Sequence, residues 1–387
     1  MNKITIFSVL AIILSLPIIN AQEKIHPPGV VINHIPQSTG KYIGSPSICI
    51  LSNGDYVASH DEFGPKSTEF RSAITHIFTS SDKGITWRKI STIDGQFWSN
   101  LFYHNNALYI IGTNKHHGNF IIRKSTDRGR TWTIPYDNKQ GLILEGEYHT
   151  APVPVLIHKG RIWRAAEYAT AKSTKWGERY SALLLSIPEN ADLLDAKNWT
   201  RSNHLPFDST YLNGHFKAWL EGNAVATKDG RVVDILRVHT SDLQEEYCAI
   251  VDVEKDGKRV NFDKNNFFEM PGASKKFMIR YDEKTDKYWA IVNYVDDEYK
   301  GKSKASSLRN KAVFISSKNL KEWIKERDLL FHPDHLKHAF QYIDWLFDRD
   351  DIVFVSRTAY DDEEGGAKAA HDANYLTFHR IKNFRNK

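Results

Sequence analysis

Short apolar runs recur along the chain, each separated from the next by a few polar residues. Residues 47–51 and 56–59 flank Asn53-Gly54, 101–103 and 108–112 flank Asn105-Asn106, and 153–157 and 162–166 flank Lys159-Gly160. The arrangement returns around Asp229-Gly230, Thr285-Asp286 and Arg349-Asp350. The runs are too short for helices and rich in β-branched and aromatic residues, so they read as strands paired in hairpins. A third apolar run follows each pair, at 73–79, 120–124, 180–185, 247–253, 311–315 and 375–378. A fourth often opens on tryptophan, at Trp87, Trp132, Trp199 and Trp323. The pattern predicts an all-β chain, a single β-propeller of six four-stranded blades with room for a seventh. Residues 30–35 are expected to supply the outermost strand of the last blade and close the ring.

The octapeptide Ser80-Ser81-Asp82-Lys83-Gly84-Ile85-Thr86-Trp87 returns as Ser125-Thr126-Asp127-Arg128-Gly129-Arg130-Thr131-Trp132. Both fit S-x-D-x-G-x-T-W. The aspartate can accept backbone N–H bonds inside a tight turn, glycine supplies positive φ, and tryptophan caps the following strand. A decayed copy, residues 316–323, keeps the turn and Trp323 but has lost the aspartate and glycine. Self-similarity at this period points to a propeller or an array.

The chain has 387 residues, 12% of them aromatic, and a formal net charge of +5. The positive excess is mild and spread out, so no nucleic-acid partner is implied, and an acidic substrate is permitted. Met1–Ala21 reads as a signal peptide, with Lys3 ahead of a short apolar core; residues 22–387 then form one catalytic propeller domain, periplasmic or secreted. No other stretch is long enough to span a membrane, and a monomer is expected. Cys49 and Cys248 lie in strand patterns and read as buried thiols, although an oxidising compartment would also allow one disulfide.

The longer polar segments fall after the second strand of each unit, on one face of the propeller. They carry His60-Asp61-Glu62, His116-His117, Arg164 to Arg179, Arg237 with His239, the segment ending at Arg309, and Arg357 to Asp372. The starts of the first strands add Tyr148-His149, Trp219 with Glu221, Lys275-Lys276, and His338 with Tyr342. Histidines, arginines and aromatics converging on one axial pocket suit an anionic sugar. No metal or other cofactor is expected: His116-His117 lacks a third ligand at fixed spacing, and residues 361–365 lack the alternating spacing of a calcium loop.

The Asp boxes and blade plan resemble the sialidase-like propeller superfamily. Sialidases carry an arginine of a carboxylate-clamping triad where this chain has Gly44, in Gly44-Ser45-Pro46-Ser47. Ser45-Pro46-Ser47, Ala58-Ser59-His60-Asp61, Tyr148-His149-Thr150-Ala151-Pro152, Glu221-Gly222-Asn223-Ala224 and the segment from His371 to Arg380 look more like the propellers acting on rhamnose–uronate glycans. That resemblance implies β-elimination on ulvan-like oligosaccharides, as lyase or dehydratase. Elimination needs a neutralised carboxylate, a base and an acid. Arg237, His149 and Tyr180 are the expected trio, with Arg164, Arg179, Trp219, Glu221, His239, Tyr342 and His371 binding substrate. Three other readings stand beside it: an α-L-rhamnosidase using His60, an exo-sialidase, and a carbohydrate-binding propeller without catalysis.

Overall fold

A computed structural model describes residues 26–170, 172–241, 243 and 245–386. The expected leader lies outside the described residues. Among the described residues the regular structure is strands and short 3-10 turns, and no helix is long and apolar enough to cross a membrane. The strands form five antiparallel sheets.

Four sheets are separate blades. Tyr42–Ile50, Tyr56–Phe63, Ile74–Ser80 and Arg88–Asp94 make one; Met278–Asp282, Lys287–Asn293, Lys311–Ser317 and Trp323–Phe331 make another. A third runs through Phe216–Ala226, Val232–Thr240, Tyr247–Val253 and Val260–Asn261, with Phe267–Glu269 paired beside it. In the fourth, Ala339–Asp348, Asp351–Ala359 and Tyr375–Ile381 are completed by Val30–His34 from the other end of the chain, with His34 opposite Tyr375.

The fifth sheet corrects the expectation of six or seven four-stranded blades. It is continuous and eight-stranded, and it spans the chain from Phe97–His104 to Thr200–Arg201. The strand expected at Trp132 does not form, because Pro135 cannot donate to a ladder. The chain pairs instead at Leu142–His149, which bonds to Gly118–Ser125 on one side and, through Tyr148 and His149, to Tyr168 and Glu167 on the other. That one strand fuses what the pattern treats as two units. Pro152 and Pro154 have the same effect on the expected strand at 153–157: pairing begins only at Leu156, in the short strand Leu156–His158.

The repeated octapeptides are the expected turns. Asp82 accepts from the Thr86 backbone N–H at 2.9 Å, Ser80 Oγ accepts from Gly84 N–H at 2.9 Å, and Trp87 Nε1 donates to the Gly84 carbonyl at 3.2 Å. Asp127, Ser125 and Trp132 repeat these bonds. Gly84 sits at φ 89°, and a Cβ there would lie 2.1 Å from the Phe378 ring, so the turn is pressed onto the neighbouring blade. In the decayed copy Leu320 takes the left-handed conformation, φ 66°, and Asn319 supplies the acceptor.

The inner strands touch in a ring, Tyr42–Ile50 meeting both Phe97–His104 and Ala339–Asp348. Their edges face a neighbouring strand too divergent for a ladder, and side chains fill the gap. Asp344 accepts from Ser47 Oγ at 2.7 Å and Ile48 N–H at 3.0 Å, Ser47 Oγ accepts from Leu101 N–H at 3.0 Å, Asn100 from Val153 N–H at 2.9 Å, and Asn223 from Ile279 N–H at 2.9 Å. Cys49 and Cys248 are buried free thiols in different blades.

Removing one of these clasps leaves a buried N–H unsatisfied. Asn100→Ala is expected to lower stability by about 1–3 kcal/mol, read as a shift in urea midpoint at unchanged slope, with Asn100→Asp losing less because an acceptor remains.

Candidate active site

Just before three of these clasping residues the backbone turns left-handed. Trp98, Glu221 and Tyr342 have φ of 47°, 50° and 52°, each at a register shift of an innermost strand. Asn100, Asn223 and Asp344 follow two residues later. A bulge re-aims the side chain that carries it, and here all three side chains line one axial cavity of about 420 Å³. Non-glycine residues held at positive φ cost energy and cluster at functional sites.

At its centre Tyr342 donates its phenol O–H to Glu221 Oε1 at 3.2 Å. The other Glu221 oxygen accepts from Arg237 Nη1 at 2.7 Å, and Arg237 Nε donates to the Ser274 carbonyl at 3.0 Å. Burial pushes the Glu221 carboxyl up, but the Arg237 guanidinium more than offsets this and holds it below the usual range. Arg309 and Arg357 complete a cationic cage, their guanidinium carbons 5.7 and 5.1 Å from the centre of the Tyr342 ring. Arg357 is buried, lies 4.2 Å over Phe63, donates to the His371 carbonyl, and keeps an unpartnered Nε. Burial lowers it to about 10, which leaves it charged at neutral pH.

Asp61 stands on the wall formed by Tyr56–Phe63. Its carboxylate accepts from Ser45 N–H at 2.5 Å and Trp98 N–H at 2.6 Å. Only 2% of it is exposed, and burial raises its pKa to about 7 against these two bonds. Glu69, also lining the cavity, is raised to about 7 by burial. A Cβ on Gly44 would lie 1.6 Å from Asp61 Oδ1, so the absence of a side chain at Gly44 is what admits the acid.

Of the residues expected from the sequence, His149, Arg237, Glu221, His239, Tyr342 and His371 line this cavity together. His149 is held through Nδ1 by Glu167 at 2.8 Å and packs edge-on against Trp98. The others lie elsewhere. Tyr180 is buried behind His149, with its hydroxyl on His117 at 3.0 Å, so it does not present an acid to the cavity. His60 is fully buried, bonded to Asn33 and the Asp61 carbonyl and stacked on Phe78; burial pulls it down to about 3. Trp219, expected on the sugar-facing rim, is fully buried among Phe216, Phe262 and Phe267. Arg164 is fully buried on the Ala151 and Ala165 carbonyls. Arg179 is bonded to Glu147 and the Ala169 carbonyl outside the cavity lining. In the sequence Arg309 and Arg357 stand out only as bounds of polar segments, Asp61 only as part of His60-Asp61-Glu62 and Ala58-Ser59-His60-Asp61, and Trp98 not at all. The offset of two residues before a clasping Asn or Asp is the signal that marks Trp98, Glu221 and Tyr342. No group of metal-ligating side chains that could hold an ion occurs among the described residues.

No family model and no curated protein matches the chain. Solved structures match in fold. An α-L-arabinanase from Penicillium chrysogenum, solved with arabinobiose, superposes with a TM-score of 0.57 at 13% identity, covering 92% of this chain and 98% of its own. An α-L-arabinofuranosidase from Fusarium graminearum gives 0.60 at 11% identity over 92% and 97%. A Trypanosoma rangeli sialidase, in complex with sialic acid, gives 0.51 at 12% identity over 92% of this chain and 57% of its own. The chain is thus a β-propeller resembling those of carbohydrate-active enzymes. The expectation of elimination on a rhamnose–uronate glycan is corrected: these similar propellers are glycoside hydrolases, and Tyr180 is not presented to the cavity as the elimination acid.

Gly44→Ala is expected to displace Asp61 and destabilise the fold by about 1–3 kcal/mol, measured by thermal unfolding. Glu221→Gln, which leaves Arg237 buried without its counter-charge, is expected to cost about 3–5 kcal/mol in the same measurement.

Proposed function

We propose that the chain is a retaining glycoside hydrolase for a sugar that bears a carboxylate, of the sialic acid kind. The observation that carries this is the Tyr342–Glu221 bond inside the cage of Arg237, Arg309 and Arg357, in the cavity that also holds Asp61. An anomeric carbon carrying a carboxylate repels a carboxylate nucleophile. A phenol approaches without that repulsion, and tyrosine is the known exception to the paired-carboxylate rule for glycosidases.

The steps follow from the groups present. Glu221, kept ionised by Arg237, accepts the Tyr342 proton as the phenolic oxygen attacks the anomeric carbon. The guanidinium groups bind the substrate carboxylate and stabilise the developing phenolate. Asp61, protonated up to about pH 7, gives its proton to the leaving oxygen. It then takes a proton from the water that displaces Tyr342, and the configuration is retained. Gly44 does not exclude a third cation in this reading, because Arg357, stacked on Phe63 in the same cavity, supplies one. The leader expected at residues 1–21 supports an exported enzyme, and a monomer acting on an acidic oligosaccharide is the state we propose.

Purified protein is expected to hydrolyse an aryl α-sialoside with retention, read by proton NMR of the first product. Faster turnover of an aryl arabinoside would overturn the acidic-sugar reading. Tyr342→Phe is expected to lose turnover and keep binding. Asp61→Asn is expected to lower kcat on a sugar leaving group by about 10²–10⁴-fold and much less on an activated aryl one. The wild-type rate is expected to fall as pH rises through about 7, where Asp61 loses its proton, and this limb is expected to vanish in Asp61→Asn. Asp61 also makes stability pH-dependent: its raised pKa contributes most below its unfolded value, and that contribution is lost as pH rises to about 7.

A further inference from the structure

The axial pocket is not closed on the side away from Asp61. A second cavity, of about 530 Å³, adjoins it and shares His239 and Ser306 with its lining. His239 is the last residue but one of the strand Val232–Thr240, and Ser306 lies in the short turn Ala305–Ser307. Both belong to blades across the ring from Asp61: the eight-stranded sheet intervenes on one side and the last blade on the other.

The walls of this second cavity are those of a sugar site. Thr240, Ser241, Ser303 and Ser306 supply hydroxyls. Lys302 and Lys304 also line it, and among the described residues neither is paired with a carboxylate and Glu245 is the one acid in the lining. Lys217 and Lys304 stand close enough to His239 to help burial and Arg237 hold its imidazole neutral, at about 4. The Nδ1 of His239 is buried without a partner. Trp176, 54% exposed, lines the axial pocket and stands perpendicular to the His239 ring, their centres 5.1 Å apart.

We infer that this cavity receives a further acidic unit of the glycan, attached to the bound sugar on the side opposite its leaving group. The inference rests on the proposed hydrolase reading, in which Asp61 marks the leaving side. Its consequence is that the enzyme cleaves within an acidic chain, as well as removing terminal residues. A site that bound only a terminal sugar would need no polar, cationic chamber beyond it. Trp176 and His239 would form the sill over which the chain passes, and Lys302 and Lys304 would read the charge of the next unit.

The test uses α2,8-linked oligosialic acid labelled at its reducing end. Early appearance of short labelled products is expected, and strict loss of one unit at a time would overturn internal cleavage. The double variant Lys302→Ala/Lys304→Ala is expected to raise KM for the oligomer by about tenfold and leave an aryl sialoside unaffected. Calorimetric binding of the oligomer separates this inference from the hydrolase reading. If neither substrate is cleaved, the hydrolase reading fails, and tighter binding by wild type than by the double variant still supports the cavity. Equal binding by the two proteins, or equally tight binding of a neutral oligosaccharide, would overturn it. Dextran sulfate is the second ligand: a larger loss of its binding than of oligosialic acid's in the variant would assign the cavity to sulfated rather than carboxylated units.

Discussion

The architecture depends on one kind of hydrogen bond, the side-chain clasp between innermost strands. Where blades splay around an axis, the inner edges cannot continue a ladder, and unpaired buried N–H groups are costly. Ser47, Asn223 and Asp344 each accept a backbone N–H from the next inner strand, and Asn100 accepts one from Val153, just ahead of Leu156–His158. Each clasp must reach sideways, so the backbone ahead of it departs from the regular pleat. The resulting bulges turn Trp98, Glu221 and Tyr342 into the axial cavity. The requirement to join the blades thus creates the positions from which chemistry is done.

Charge in the cavity is organised by burial. Asp61, with two backbone donors and no paired cation, is raised to about 7, whereas Glu221, bonded to Arg237, is held below its usual range. Two carboxyls in one cavity are thereby pushed in opposite directions, the arrangement that separates an acid from a base at one pH. Backbone geometry decides which is which. The Ser45 and Trp98 amides pin Asp61 where Gly44 leaves space, and the bulge at Glu221 brings its carboxylate to Arg237 and Tyr342. Burial also removes candidates, since His60 and Trp219 are spent on packing between strands.

Strands, hairpins, the tryptophan-capped turns and the closing strand near residue 30 were legible in the order of residues, because alternation, turn chemistry and the repeated octapeptide are local. Arg237, Glu221, Tyr342 and His149 were legible as candidates because they flank strand ends on the polar-loop face. What the order of residues did not reveal was which of them meet. Arg357 and Phe63, or Tyr342 and Glu221, come together only through ring closure.

The sequence by itself determined an all-β propeller and the face on which polar residues gather, since both follow from periods of two and from turns spanning a few residues. Only the tertiary structure decided that one sheet is eight-stranded, through prolines that deny a ladder its donors, and that Tyr342, not Tyr180, faces Glu221. It alone decided that Gly44 makes room for Asp61. These outcomes depend on contacts between residues far apart in the chain, whose energies come from burial and direction and leave no periodic trace in the order of amino acids.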